Sequence, residues 1–211
     1  LKTTDAGKTW KSIASDLPER GSVYTIAEDH VAKDLLFVGT EFGCFFTSNG
    51  GSNWIQLKSG LPTIAVRDIE IQRRENDLVL GTFGRGFYIL DDYTPLRHIK
   101  KEDLEKEAII APVKDALMYN PRYPIGLRDK GHLGSSYFTS PNPEVGAVFT
   151  YYLKDDVKKI KDIRKEKEKA AYEKKEAVYY PSIDSLRLED NQVEPYVLLT
   201  ITDAQGNVVR H

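Results

Sequence analysis

The chain has 211 residues, of which 40% are hydrophobic and 29% charged, and its formal net charge is -2. This balance is typical of globular proteins, and it excludes a disordered chain and a strongly basic nucleic-acid-binding protein. Cys44 is the only cysteine and the four histidines are scattered, so we predict no internal disulfide, no metal site and no cofactor. No apolar run approaches the roughly 20 residues that span a bilayer, so no transmembrane segment is predicted.

An eight-residue stretch near the start of the chain, TTDAGKTW (residues 3–10), returns 44 positions later as TSNGGSNW. Asp5 can accept hydrogen bonds from backbone N–H groups of a turn, and Gly7 can supply the positive φ that such a turn needs. Trp10 is expected to pack between strands with a large buried area. Asn49 replaces Asp5 in the second copy, and a motif that loses its carboxylate is poorly suited to acid–base catalysis. The octets therefore predict structural turns, built from Thr3, Asp5, Gly7, Thr9, Trp10, Thr47, Asn49, Gly51, Asn53 and Trp54.

Two further landmarks recur at nearly the same interval. SDLP returns as SGLP after 44 residues, and DLLFVGTEFGCFF returns as NDLVLGTFGRGFYIL after 42. These intervals have the length of one four-stranded propeller blade. Within the longer pair we align Gly39 and Thr40 with Gly81 and Thr82, and Phe45 and Phe46 with Phe87 and Tyr88.

Each repeated unit contains the strands that a blade needs. Segments in which apolar and polar residues alternate predict half-buried strands, and short apolar runs predict inner strands covered on both faces. A glycine-containing turn after each apolar run predicts a hairpin. In chain order the predicted strands are residues 10–13, 23–29, 35–40, 44–48, 54–57, 66–72, 78–82 and 86–90.

The repeats end near residue 91, and the sequence then changes character. Residues 92–110 predict a turn, a short helix beginning near Glu102 and an exit strand. The proline- and glycine-rich residues 112–142 predict an ordered linker that lies over a surface, with one strand at 115–120.

Three strands are predicted after the linker, at residues 146–153, at 196–203 and after a turn that contains Gly206. Between the first two lies a charged segment, residues 154–177, with a narrow apolar stripe at helical spacing. It is either a basic arm that contacts an anionic partner or a solvated helix docked by its stripe, and its mixed charge favours the solvated helix. A second short helix is predicted with Ser182 as its N-cap.

These strings resemble a known family. The octets resemble the Asp box of the bacterial neuraminidase repeat, which is found in sialidases, sortilins and xyloglucanase-like propellers. DLVLGTFGRGFYILDDYTPLRHI (residues 77–99) looks like the closing blade of large secreted bacterial sortilin-like proteins that are often labelled glycosyl hydrolases. Residues 141–155 and 196–210 resemble two parts of the immunoglobulin-like module that follows that propeller. The resemblance implies an extracytoplasmic protein, either periplasmic, cell-surface or secreted.

The predicted fold is mainly β, a partial β-propeller followed by the start of an immunoglobulin-like β-sandwich. We expect about two four-stranded blades in residues 1–111, a linker in 112–142 and an incomplete module in 143–211 with a helical insertion at about 155–190. Two blades cannot close a ring, and their edge strands would stay unpaired. The remaining blades of the same propeller are therefore predicted partners, and these residues, which begin at Leu1 without a signal peptide, are expected to be a piece of a longer protein.

Arg85, flanked by two glycines, is the strongest candidate for a ligand-binding residue. In a sialidase-like propeller it would clamp a carboxylate, since guanidinium matches that geometry; alternatively it pairs with Asp91 or Asp92. Glu41 either faces the channel or lies on a solvated loop. A glycosidase needs two carboxylates about 5–10 Å apart, and no pair is predicted here. The predicted ligand-binding residues are Arg85, Glu41, Asp91 and Asp92, with no catalytic residue among them.

The leading functional hypothesis is a binding or scaffold module that presents loops to a glycan or protein partner. One alternative is a glycoside hydrolase, sialidase- or xyloglucanase-like, whose catalytic carboxylates lie outside these residues. Another is a structural subunit of a cell-surface complex. Nucleic acid is not a predicted partner because the net charge is -2.

Overall fold

The computed structural model describes residues 1–120, 136 and 145–211, and it is mainly β. The chain forms two compact units, Leu1–Lys154 and Asp155–His211. The first seven strands are β1 (Val23–Glu28), β2 (Leu36–Thr40), β3 (Gly43–Thr47), β4 (Ile55–Leu57), β5 (Val66–Gln72), β6 (Asp77–Thr82) and β7 (Phe87–Leu90). β1 to β4 form one antiparallel sheet in that order and β5 to β7 another, and neither sheet closes on itself within the described residues.

The first sheet is buried on both faces because apolar side chains alternate sides along β2. Phe37 packs in one cluster with Val66 and other residues of the second sheet. Its neighbour Val38 belongs to a second cluster on the opposite face, which includes Trp54. Every residue of β2 and β3 is buried, so the inner strand predicted at 35–40 is confirmed. β6, the other predicted inner strand, is only partly buried. Each large apolar side chain buried in this way contributes about 1.5–3 kcal/mol to stability.

The two sheets approach each other closely at Gly39 in β2. A Cβ atom on Gly39 would lie 2.6 Å from the carbonyl oxygen of Val66 and 2.7 Å from Cγ2 of Thr25. Gly81 occupies the corresponding position in β6, where the nearest atom to an added Cβ would be 3.5 Å away, on Asp68. The absence of a side chain at Gly39 therefore permits the packing of β5 against β2.

A buried ionic cluster joins the end of β1 to the segment after β7. Asp29 is 1% exposed, and its carboxylate accepts hydrogen bonds from Oη of Tyr93 at 2.5 Å and from Nε and Nη2 of Arg97 at 2.9 and 2.8 Å. Two backbone amides, of Val31 and Ala32, donate to the same carboxylate at 3.1 and 2.6 Å. We call Asp29, Tyr93 and Arg97 the Asp29 clamp. It fixes the chain that leaves the second sheet against the first sheet.

The second hairpin differs from our sequence alignment by one residue. Val38 pairs with Phe45 in the first hairpin, and Leu80 pairs with Tyr88 in the second. Phe45 therefore corresponds to Tyr88, and its alignment with Phe87 is wrong. The cause is one extra residue in the second hairpin, because four residues separate Gly39 from its partner Cys44 and five separate Gly81 from its partner Phe87.

The remainder of the first unit contains less sheet than predicted. Residues 10–13 form one isolated bridge, between Lys11 and Lys2, instead of a strand. The helix predicted near Glu102 is present as a 3-10 helix. Residues 115–120 form no strand, and the strand predicted at 146–153 is limited to its last three residues. The 3-10 helices of this unit are Thr94–Arg97 and Lys101–Glu105. Its last two strands are β8 (Ala108–Ile110) and β9 (Tyr151–Leu153), which pair with each other.

The second unit contains two helices and one hairpin. The helices are α1 (Ile160–Glu173) and α2 (Ile183–Asn191), and the hairpin pairs β10 (Ile201–Thr202) with β11 (Val208–Arg210). Ser182 caps α2, as predicted, by accepting a hydrogen bond from the amide of Ser185 at 3.2 Å. Arg164 of α1 holds the carboxylate of Glu189 of α2 through two hydrogen bonds of 2.5 and 2.8 Å. Of the strand predicted at 196–203, the structure contains only β10, Ile201–Thr202.

Neither helix of the described chain has the length and apolar character that crossing a membrane requires. Most of the predicted linker, residues 121–135 and 137–144, lies outside the described residues, together with the first part of the strings that resemble an immunoglobulin-like module.

Candidate functional site

β1 and β5 each begin with a β-bulge at the same place in the repeat. The residue left out of the ladder is Tyr24 in β1 and Arg67 in β5. A bulge bends its strand and re-aims the side chain of the extra residue. Two successive sheets therefore present one re-aimed side chain each, at the end where the β2–β3 and β6–β7 turns also lie.

Arg67 lies between two aromatic rings at this end. Its guanidinium carbon is 3.9 Å from the centre of the Tyr24 ring and 5.3 Å from that of Phe83. Contacts of this kind contribute about 0.5–1 kcal/mol at exposed sites and restrict the motion of the side chain. Arg67 makes no ion pair with any residue that the structure describes. Arg67 is therefore an exposed cation that two aromatic rings hold in position, and no carboxylate of the described chain is paired with it.

The loop between β6 and β7 extends this surface. The amide of Phe83 donates to the carbonyl oxygen of Ala65 at 2.9 Å, which fixes the loop to the residue before β5. The side chains of Phe83 and Phe87 are 68% and 79% exposed, and Arg85 is exposed between them. We call Tyr24, Arg67, Phe83, Arg85 and Phe87 the hairpin-end surface.

Glu41, another predicted ligand-binding residue, lies at the same end of the sheets. It occupies the turn between β2 and β3 and is exposed, and its amide donates to the carbonyl oxygen of Ser22 at 3.1 Å. Phe83 makes the equivalent backbone contact in the second sheet, so the two positions correspond. The structure thus brings Glu41 and Arg85 to the same end of the two sheets, at the β2–β3 and β6–β7 turns.

Asp91 and Asp92 lie at the opposite end, because β7 separates them from Arg85. Asp92 accepts hydrogen bonds from the amide and the hydroxyl of Thr94 at 3.3 and 2.6 Å, and its own amide donates to Asp77 at 3.1 Å. These bonds support the 3-10 helix that follows. The four predicted ligand-binding residues therefore do not form one site, and Arg85 pairs with neither aspartate.

The first octet is a closed network of short hydrogen bonds. Asp5 accepts bonds from the amide and the hydroxyl of Thr9 at 2.8 and 2.6 Å, and Oγ1 of Thr3 accepts from the amide of Gly7 at 2.9 Å. The hydrogen bonds from Thr9 and Thr3 lower the pKa of Asp5 to about 2, so the carboxylate is ionised at neutral pH. The hydrogen bonds that the Asp5 carboxylate accepts come from residues of the turn itself.

The second octet repeats this network with neutral partners. Oδ1 of Asn49 accepts from the amide of Asn53 at 3.0 Å, and Oγ1 of Thr47 accepts from the amide of Gly51 at 3.1 Å. The two tryptophans differ, since Trp54 is 7% exposed and Trp10 is 59% exposed. The prediction that Trp10 packs between strands is therefore wrong for the described residues. Trp54 has neighbours that come earlier in the chain, and its indole N–H donates to one of them, the carbonyl of Ile13, at 2.6 Å.

We expect Asp5→Asn to preserve the first turn and Asp5→Ala to open it, because an asparagine already fills this role at position 49. The measurement is amide hydrogen exchange at Thr9, whose N–H is bonded to Asp5. Protection should fall several-fold in Asp5→Ala and stay close to the original value in Asp5→Asn. The amide of Asn53 serves as an internal control, and equal loss in both variants would contradict a purely structural role.

Arg67 and Tyr24 are the residues that sequence reasoning missed. Aligning VYTIAE with VRDIEI gives a partial signal, because valine and isoleucine are retained while the two positions between them change, from tyrosine to arginine and from threonine to aspartate. A variable position between retained apolar ones indicates a side chain outside the core. The bulge that makes this position special depends on pairing with another strand, and the alternation of residues does not reveal it.

The described residues provide neither a reactive thiol nor a cluster of metal-ligating side chains. Burial raises the pKa of the Cys44 thiol to about 12, so Cys44 is not a nucleophile at neutral pH. Among the residues described, no group of three or more histidine, cysteine, aspartate or glutamate side chains is placed to hold a metal ion. Comparison of the chain with protein-family models, with curated proteins and with solved structures finds no match.

Proposed function

We propose that this chain is a binding module that presents its hairpin-end surface to a carboxylate-bearing glycan. The observation that carries the proposal is Arg67, exposed, stacked on Tyr24 at 3.9 Å and without an ion-pair partner in the described chain. A guanidinium group offers parallel N–H donors that match a carboxylate. Its position is set before binding, which reduces the entropy lost when a ligand is held.

Two exposed aromatic rings suit the glycan part of such a ligand. Phe83 and Phe87 offer apolar faces on which the C–H face of a sugar ring can pack. Binding sites for small molecules commonly combine aromatic walls with a few polar groups that fix orientation. Arg85 supplies a second cation on the adjacent loop.

The expected result is that uronate-containing oligosaccharides and sialosides bind, whereas matched neutral oligosaccharides do not. Arg67→Gln should weaken binding about 10- to 100-fold, since charge-assisted hydrogen bonds contribute about 1.5–3 kcal/mol. Isothermal titration calorimetry with the purified chain measures this. Arg73→Gln is the matched control, because Arg73 is an exposed arginine in the β5–β6 turn, at the other end of the sheet. Equal binding of neutral and acidic glycans, or an unchanged affinity in Arg67→Gln, would refute the proposal.

A larger architecture is part of this proposal: a sortilin-like β-propeller built from Asp-box repeats, located outside the cytoplasm and completed by further blades. Its support is the repetition itself. Two octets with equivalent hydrogen bonds, two bulged first strands and two glycine-threonine hairpins recur within one chain. β7 also has a partner on one side only within the described residues, as expected for a blade that lacks its outer strand. The sequence resemblance supports the immunoglobulin-like module and the extracytoplasmic location.

A further inference from the structure

A polar groove lies between the two octets, away from the hairpin-end surface. Its volume is about 530 Å³, which is within the range of small-molecule sites. Two lysines, Lys2 and Lys11, lie on its wall, and no acidic residue contributes to the lining. Hydroxyl groups provide much of the remaining surface, from Thr4, Ser12, Ser15 and Ser52.

The two lysines are placed directly opposite each other. The amide of each donates to the carbonyl oxygen of the other, at 2.8 and 2.9 Å, so their side chains leave the paired segments on the same face. Like charges in this arrangement repel each other. Lys2 has a countercharge in Asp34, whose Oδ1 is 3.9 Å from Nζ of Lys2 and whose side chain is 73% exposed. That pair is too long and too solvated to neutralise both lysines.

Hydroxyl groups with donor capacity stand beside these cations. Oγ of Ser12 accepts a hydrogen bond from the amide of Ala14 at 3.4 Å, which leaves its O–H free to donate to a ligand. Oγ of Ser15 is already bonded to the carbonyl of Ser52 at 3.0 Å, so it shapes the wall instead. The groove therefore combines the ammonium groups of two paired lysines with neutral donors, and the one carboxylate recorded beside them, that of Asp34, is not among its lining residues.

We propose that this groove binds a phosphate or sulfate group carried on a sugar. An ester oxyanion between Lys2 and Lys11 relieves their repulsion, and its oxygens accept hydrogen bonds from both ammonium groups. The hydroxyl-lined wall then contacts the sugar. This site is independent of the glycan carboxylate proposed for Arg67, since the two involve different residues at different places.

The test is calorimetric titration with glucose 6-sulfate, glucose 6-phosphate, glucose and the two inorganic anions. Both esters are expected to bind, glucose is not, and inorganic sulfate and phosphate should bind more weakly than the esters. Lys11→Gln should reduce ester affinity at least about tenfold, as expected for one lost charge-assisted contact. Lys58→Gln, which removes an exposed lysine outside the groove, should leave it unchanged.

Several results would overturn this assignment. If the esters do not bind, or bind Lys11→Gln with unchanged affinity, the groove is not an anion site. If inorganic sulfate and phosphate bind as tightly as the esters, the groove does not recognise the sugar. Equal weakening by Lys58→Gln would mean that net charge alone attracts the ester. Arg67→Gln separates the two proposals, because it should weaken binding of carboxylate-bearing glycans about 10- to 100-fold and leave ester binding intact. Circular dichroism of Lys11→Gln confirms that the variant is folded.

Discussion

Asp29→Ala is expected to lower the free energy of unfolding by about 3–5 kcal/mol, because it leaves the buried guanidinium of Arg97 without its carboxylate. The side chain of Asp29 is fully buried and that of Arg97 is 12% exposed, so water cannot replace the lost interactions. The same change removes the acceptor of the Tyr93 hydroxyl and of two backbone amides. Urea denaturation followed by tryptophan fluorescence measures the difference.

Asp34→Ala is the matched control for this experiment. Asp34 is also an aspartate paired with a cation, but its side chain is 73% exposed and the distance to Lys2 is 3.9 Å. Surface pairs of this kind contribute about 0–1 kcal/mol, so the control should change stability little. If the two variants lose similar amounts, the Asp29 clamp does not join the two sheets.

The clamp also predicts how stability depends on pH. Burial alone would raise the pKa of Asp29, but the hydrogen bonds from Arg97, Tyr93, Ala32 and Val31 outweigh it and lower the pKa to about 2. An unfolded aspartate has a pKa of about 3.9. The folded state therefore gains stability from ionised Asp29 above pH 4, and loses it as the pH falls from about 4 to 2. In Asp29→Ala the unfolding free energy should fall less over this range.

Gly39→Ala is expected to destabilise the first unit by about 1–3 kcal/mol, as overpacking does in other cores. The added Cβ would lie 2.6 Å from the carbonyl oxygen of Val66, a backbone atom that can move only if β5 moves. Gly39 has no unusual backbone conformation, so the steric contact accounts for the effect. The expected signs are a lower urea midpoint and weaker packing between the sheets.

Gly81→Ala provides the comparison, since Gly81 holds the same position in the second sheet. The nearest atom to its added Cβ would be 3.5 Å away, which is ordinary van der Waals contact. A glycine to alanine change in a strand without a clash is neutral or stabilising by about 0.4–1 kcal/mol. Equal destabilisation by both variants would show that close approach of the sheets is not the reason for glycine at position 39.

Strand positions within the repeats could be predicted because burial leaves a clear pattern in the residues. β5 matches the predicted alternating segment at 66–72, and the apolar run at 35–40 marks β2, which is covered on both faces. Outside the repeats the same reasoning overestimated the strands. Residues 196–200 have strand-forming side chains, but strand formation also depends on a neighbouring edge, and the described chain has no strand at 115–120 or at 196–200.

The clamp and the hairpin-end surface could not be predicted, for a different reason. Asp29 binds Tyr93 and Arg97, which are 64 and 68 residues later in the chain, and no short-range pattern reports such a contact. From its neighbours in the sequence, Asp29 is predicted only to be a polar residue at the end of a strand. In the sequence Arg67 is one charged residue among many. Its fixed position depends on the bulge in β5 and on the ring of Tyr24, which only the structure reveals.

The shared bulge position has a consequence for how such a chain diversifies. Tyr24 and Arg67 differ between the two repeated units, while the valine before each and the isoleucine two residues after each are the same. Neither residue belongs to a hydrophobic cluster, so under the proposed binding function a mutation at this position alters the binding surface and leaves the core unchanged. A combinatorial library that varies positions 24, 67 and 85 would exploit this separation to redirect binding on an unchanged scaffold.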